Sequence, residues 1–158
     1  MKIIEASSTE HIDIARRLFR EYQVFLGEDL CFQGFEEELA SLPGKYADPT
    51  GTILIAEHND DFVGCVAVRP LEGETCEMKR LYVKPEAQGL RAGEKLAELI
   101  IEKASELGYK KMQLDTLQRL DKALSLYKKL GFKRISPYYG NPLDEVIYLE
   151  LELTSDDT

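Results

Sequence analysis

The sequence is short of the side chains that build metal cages and disulfide frameworks. Its three cysteines (Cys31, Cys65 and Cys76) and two histidines (His11 and His58) are widely spaced. No CxxC and no HxxxH pair occurs, so neither a stapled fold nor a metal-dependent chemistry is expected. Cys65 stands in an apolar run and reads as a buried, inert thiol. Positive charge is scarce as well: 20 Lys and Arg face 29 Asp and Glu, a formal charge of −9. That balance repels a phosphate backbone and argues against nucleic acid and anionic membranes as partners. No apolar run nears the roughly 20 residues of a membrane span. The first residues, Met1 to Glu5, carry no signal-peptide core. A cytoplasmic, reducing compartment is the expectation.

What is present suffices for one domain. At 158 residues, 44% of them hydrophobic and 31% charged, the chain suits a single core over residues 1–153. An acidic tail follows at residues 154–158. Lys2 to Ala6 reads as a strand. Ser7 to Glu10 offers a capping box with Ser7 at the N-cap, ahead of a helix in which Ile12, Ala15, Leu18, Phe19 and Tyr22 recur at helical spacing. Gly27 ends that helix, and Phe35 to Leu42 forms a second one closed by Pro43 and Gly44. The glycine-bounded loop between them is either a plain connection or a lid over a substrate.

Thr52–Glu57, Phe62–Val68 and Cys76–Val83 are strands joined by turns. In the third, Met78 falls on one pleat phase while Leu81 and Val83 fall on the other, so a β-bulge is expected between Met78 and Arg80. A long helix spans Ala92 to Leu107, with Leu96, Leu99, Ile100 and Ala104 on its inner stripe. Lys110–Thr116 is a strand and Asp121–Leu130 a helix stopped by Gly131. Two strands, one from Phe132 and one over Glu145–Leu153, complete the chain. The order β-α-α-β-β-β-α-β-α-β-β gives one α/β domain on a mixed sheet.

Chemical signals concentrate between Val83 and Leu96. There a strand ends, a loop with two glycines turns, and the long helix begins. Unpaired N–H groups and the helix dipole make such a start an anion site suited to phosphate. Gly89 and Gly93 let a ligand approach the backbone, and Arg91 can add a charge-assisted contact. The spacing is neither a GxGxxG fingerprint nor a Walker A loop.

On these residues the chain resembles the GNAT superfamily of acetyl-CoA-dependent N-acetyltransferases, over essentially its whole length. The GNAT phosphate loop reads Q/R-x-x-G-x-G/A, and the run Gln88, Gly89, Leu90, Arg91, Ala92, Gly93 matches its first and last positions. Arg91 replaces the middle glycine, so its side chain either supplies part of the phosphate contact or keeps the backbone from wrapping it. The strand Lys79 to Val83, the segment Leu126 to Phe132 and the element order match as well. The resemblance implies a mixed seven-stranded sheet with splayed strands 4 and 5, a bulged fourth strand and about four helices. It implies acetyl-CoA as co-substrate, with the pantetheine arm along the main chain of Leu81, Tyr82 and Val83 and the pyrophosphate on the N–H groups of Gln88 to Gly93.

Acetylating an amine requires three things: removing a proton from the ammonium, a donor for the developing oxyanion, and a proton for the departing thiolate. Tyr127 is similar to the GNAT tyrosine acid, and a phenol with a pKa near ~10 is protonated at neutral pH. Glu77 stands where the histone-acetylating branch of the family places its glutamate and is the expected base, with Asp115 in reserve. Cys76 adjoins it, but nothing in the sequence would activate its sulfur, so direct transfer is preferred over a thiol relay. Acceptor contacts are expected from Tyr22, Phe25, Phe32, Asp115, Tyr138, Tyr139 and Asn141. The acceptor is a small-molecule amine or a peptide, the acidic composition favouring a cationic one, and a homodimer stays open. The rival readings are a GNAT-shaped acyl-CoA sensor without turnover and a mononucleotide-binding α/β protein.

Overall fold

The computed structural model describes residues 1–28, 30 and 34–153. Among them, seven strands form one mixed sheet in the order β1-β2-β3-β4-β5-β7-β6. The strands are β1 (Lys2–Glu5), β2 (Thr52–His58), β3 (Asp61–Pro70), β4 (Thr75–Val83), β5 (Lys111–Leu117), β6 (Lys133–Ile135) and β7 (Val146–Glu152). The helices are α1 (Thr9–Leu26), α2 (Phe35–Ser41), α3 (Ala92–Glu106) and α4 (Asp121–Leu130), with short 3-10 turns at Gly44–Tyr46 and Pro85–Leu90. No described helix is long and apolar enough to cross a membrane. Neighbouring strands run antiparallel except β4 and β5, which are parallel. Two apolar layers result, one on each face of the sheet: Leu18, Phe19 and Phe35 from α1 and α2 on one side, Leu96, Ile100 and Tyr127 from α3 and α4 on the other.

Helix starts and faces differ from the sequence reading in small, explicable ways. The N-cap of α1 is Ser8, whose Oγ accepts from the His11 N–H at 3.1 Å, and not Ser7. The chain stays extended one residue longer because the Ala6 N–H still donates to the Ile53 carbonyl at 2.8 Å. On α3 the buried stripe is Ala92, Leu96, Ala97, Ile100 and Ala104, whereas Leu99 is exposed. The small Ala97 takes the inward place because the helix lies close to the sheet. A Cβ added at Gly64 of β3 would sit 3.1 Å from Leu96 Cδ1 and 2.8 Å from the Tyr82 carbonyl.

The expected bulge in β4 is present. Cys65 faces Tyr82 and Ala67 faces Lys79, so Arg80 and Leu81 share the single partner Val66. Arg80 absorbs the extra residue at φ 62°. The insertion resets the pleat, so that Met78, Leu81 and Val83 all join the α3–α4 layer. The splay follows at once. β4 and β5 pair only through Thr75–Lys111, Cys76–Met112 and Glu77–Gln113. Beyond that point β4 stays with β3 as far as Val83, and β5 stays with β7 as far as Leu117.

A buried ion pair pins the bulge to α2. Arg80 Nε and an Nη of its guanidinium donate to the two oxygens of Glu38 at 3.0 and 2.9 Å, and the guanidinium lies 5.0 Å from the Phe35 ring centroid. Removing Glu38 deprives the buried guanidinium of a carboxylate that meets it at two points. Glu38→Ala is therefore expected to lower the unfolding free energy by about 3 kcal/mol. Asp13→Ala, which breaks the exposed pair with Arg16, should stay within about 1 kcal/mol. Denaturant melts of the two variants check the contrast.

Candidate active site

Where β4 and β5 part, a cavity of about 690 Å³ opens. Its β4 wall is Met78 to Val83, its β5 wall Leu114 to Leu117, and Tyr22, Phe25, Leu26 and Leu30 close it from the α1 side. From the other layer Ala123, Leu126 and Tyr127 of α4 reach into it. Arg119 Nη2 donates to the Leu26 carbonyl at 2.5 Å, which ties the end of α1 to the segment after β5.

The loop at the head of α3 has what an anion requires. The first helical bond runs from the Lys95 N–H to the Arg91 carbonyl, and no side chain caps the helix. The leading N–H groups of α3 thus remain as donors. Arg91 takes φ 60°, the left-handed conformation that the glycine of the family pattern adopts freely. Its side chain turns outward onto Glu94, at 2.9 Å, and a second cation, Lys129, meets the same carboxylate at 2.8 Å. Arg91 therefore keeps the backbone path of the glycine. Gly89 and Gly93 have no positive φ; a Cβ would meet nothing at Gly89 and only Val83 Cγ2 at 3.6 Å at Gly93. The protein's own packing does not require glycine at either place, whereas a ligand lying against the backbone does. Gln88, Arg91 and Gly93 line the cavity; Leu90 instead packs against the α3–α4 core and Ala92 is buried.

Tyr127 is buried, with its ring edge-on to Phe132 at 5.5 Å between centroids. Burial pushes its phenol up, and Tyr22 and Asp115 push it further. It holds its proton throughout the neutral range. Tyr22 shares the cavity, and burial raises its hydroxyl to about 12. Tyr82 is raised to about 12 by burial and by the nearby Glu21 carboxylate.

The two candidate carboxylates are placed differently. Asp115 lines the wedge, and its Oδ2 accepts from the Tyr139 hydroxyl and from Asn141 Nδ2, the latter at 2.7 Å. Tyr148 steadies this corner by donating to the Tyr139 carbonyl at 2.8 Å. Glu77 lies at the last β4–β5 pair, fully buried, and lines a neighbouring cavity together with Tyr138 and Tyr139. Its Oε1 accepts from Arg69 at 2.8 Å and its Oε2 from the Tyr138 hydroxyl at 2.7 Å. Cys76 belongs to the opposite layer, where its thiol donates to the Lys111 carbonyl and burial raises it to about 12. Among the described residues, no thiol lines the wedge. Phe32 lies outside the described residues.

Sequence reasoning did not single out Lys79, Arg80, Arg119 and Lys122, all of which line the wedge. Lys122 Nζ also donates to Gln88 Oε1 at 3.0 Å, from α4 across to the loop. The available signal was two adjacent cations, two residues after Glu77, inside a strand whose other side chains are mostly apolar. Such a pair would fall on opposite faces unless the bulge turned both the same way.

Residues 13–132 match the family model described as Acetyltransferase (GNAT) family. An uncharacterised N-acetyltransferase of Schizosaccharomyces pombe is 45% identical over 147 residues, covering 92% of this chain and 90% of that protein. The crystal structure of an acetyltransferase from Streptococcus agalactiae shares the fold, with TM-score 0.80 at 21% identity over 96% of this chain and 98% of the other. A GNAT family acetyltransferase from Elizabethkingia anophelis, solved with acetyl-CoA bound, is 28% identical with TM-score 0.56 over 66% of this chain and 77% of the other. The parted strands, the open helix start and these likenesses agree: the chain belongs to the acetyltransferase (GNAT) family and is an acetyl-CoA-dependent acyltransferase.

Proposed function

We propose that the chain transfers an acetyl group from acetyl-CoA directly to the primary amine of a small molecule or peptide. The observation that carries this reading is one cavity with an acid on one wall and a carboxylate on the other: Tyr127 from α4 and Asp115 from β5. The pantetheine arm is assigned to the main chain of Leu81, Tyr82 and Val83, which line the cavity, and the pyrophosphate to the leading N–H groups of α3. The acceptor ammonium loses its proton to Asp115, whose orientation Tyr139 and Asn141 hold. The neutral nitrogen then attacks the thioester carbon, the C–S bond breaks, and the Tyr127 hydroxyl gives its proton to the leaving sulfur. Glu77, engaged at both oxygens, takes part only through the Tyr138 hydroxyl. The high pKa and inward position of Cys76 support transfer without an acyl-cysteine.

Three measurements test the assignment. Tyr127→Phe should reduce kcat about 100-fold while KM for acetyl-CoA moves less than about twofold, because proton transfer contributes to the reaction and not to donor binding. An unchanged kcat removes Tyr127 from the chemistry.

Asp115→Asn should reduce kcat more than Glu77→Gln does, while KM for acetyl-CoA stays within about twofold for both. The reverse order assigns the base to Glu77.

Gly93→Ala should leave Tm equal or slightly higher, since alanine is favoured inside a helix by about 1 kcal/mol, yet weaken acetyl-CoA binding measured by calorimetry. Unaltered binding would place the pyrophosphate elsewhere.

A further inference from the structure

Asp115 and Tyr148 face each other across the β5–β7 ladder. Directly opposed residues of a ladder project to the same face, so the Tyr148 ring stands beside the Asp115 carboxylate. On its other side Tyr148 pairs with Ile135, the last residue of β6. The chain leaves the sheet there, runs through residues 136–145 and returns at Val146. Two rings of this connection pack edge-on against the buried Tyr148 ring, Tyr138 at 5.4 Å and Tyr139 at 5.8 Å between centroids. The hydroxyl of Tyr148 is engaged twice by the same connection. It donates to the Tyr139 carbonyl at 2.8 Å and accepts from the Asn141 N–H at 3.2 Å, using both capacities of a phenol. The two residues it grips by their main chain are the two whose side chains reach Asp115. The Tyr139 hydroxyl and Asn141 Nδ2 both donate to Asp115 Oδ2, and Asn141 Nδ2 also donates to Tyr139 Oη at 3.0 Å. Tyr148 itself does not line the wedge.

We propose that Tyr148 is a positioning residue for the base: its hydroxyl clamps the backbone at Tyr139 and Asn141, and so holds the two donors that fix the Asp115 carboxylate in the wedge. The inference rests on the acetyltransferase reading with Asp115 as base, and adds a residue that touches neither substrate. Among the described residues, both hydrogen bonds to this carboxylate end on Oδ2, which sets the carboxylate plane and leaves Oδ1 to the acceptor ammonium. A base must stand within hydrogen-bond reach of the proton it removes, and a displacement of about 1 Å costs a large part of the rate. The connection that carries both donors has no helix or strand of its own. Its aim therefore depends on where its backbone is tethered, and the Tyr148 hydroxyl is a tether at the two places that matter.

The test is a double-mutant cycle on the full chain, read in steady-state kinetics with an amine that the protein acetylates. Tyr148→Phe keeps the ring and removes only the hydroxyl. It should lower kcat about tenfold or more while KM for acetyl-CoA moves less than about twofold. In the Asp115→Asn background the same substitution should cost less than about twofold, because no base is left to aim. Tyr109→Phe removes a comparable phenol-to-carbonyl bond, to Thr50 at 2.6 Å, and should leave kcat unaltered. A kcat that Tyr148→Phe leaves intact, a loss equal in both backgrounds, or the same loss in Tyr109→Phe overturns the inference while Asp115 stands as base. Full activity of Asp115→Asn instead refutes the base, and the inference falls with it. Should no amine be turned over, hydrogen exchange at the Asn141 side-chain amide, followed by NMR, reads the clamp alone. Exchange about tenfold faster in Tyr148→Phe upholds the inference although transfer has failed, and an unchanged rate overturns it.

Discussion

The organisation of this protein depends on a ladder that stops. β4 and β5 are parallel neighbours for three pairs and then separate, each held by its outer partner, β4 by β3 and β5 by β7. A sheet interior rarely leaves backbone donors and acceptors unpaired, so the separation needs a cause. The extra residue at Arg80 increases the local twist of β4, and the pair with Glu38 holds that residue in a conformation unusual for a side chain of its size. The main chain left facing the gap is a strand edge inside the molecule, suited to accept a ligand with amides of its own.

The same gap sorts the chemistry by face. From the α3–α4 layer come the apolar walls, the open helix start and Tyr127. From the α1–α2 layer come the charged groups, with Asp115 and Glu77 in a network of tyrosine hydroxyls and Lys79 and Arg80 between two cavities. The groups that the proposed reaction assigns to the donor and to the acceptor thus come from opposite sides of one sheet.

Local features were legible in the sequence and register-dependent ones were not. That Tyr127, Gln88, Arg91 and Gly93 would share a cavity could be expected because the patterns that single them out lie within a few residues of chain. The bulge could be read because Met78 and Leu81 disagree in phase whatever their neighbours do. Which carboxylate would face the wedge was not legible. Glu77 and Asp115 lie on the same face, and only the position of the last β4–β5 pair, Glu77 with Gln113, puts one beneath the opening and the other within it. Lys79 and Arg80 entered the sequence reading only as strand and bulge positions, because the direction of adjacent side chains in a bulged strand depends on where the extra residue falls. Leu99 and Ala97 exchanged places because hydropathy favours leucine, whereas close contact between helix and sheet favours a methyl group.

The depth of the gap is quantised. β5 can slide against β4 only in steps of two residues, about 6.6 Å, because a single-residue slip would turn every inward side chain outward. Selection on the length of the transferred acyl chain therefore has no continuous backbone variable to act on. Met78 and Leu114, the side chains at the fork, are buried and line the cavity, and exchanging one methylene there alters its depth in a finer step than any shift of register.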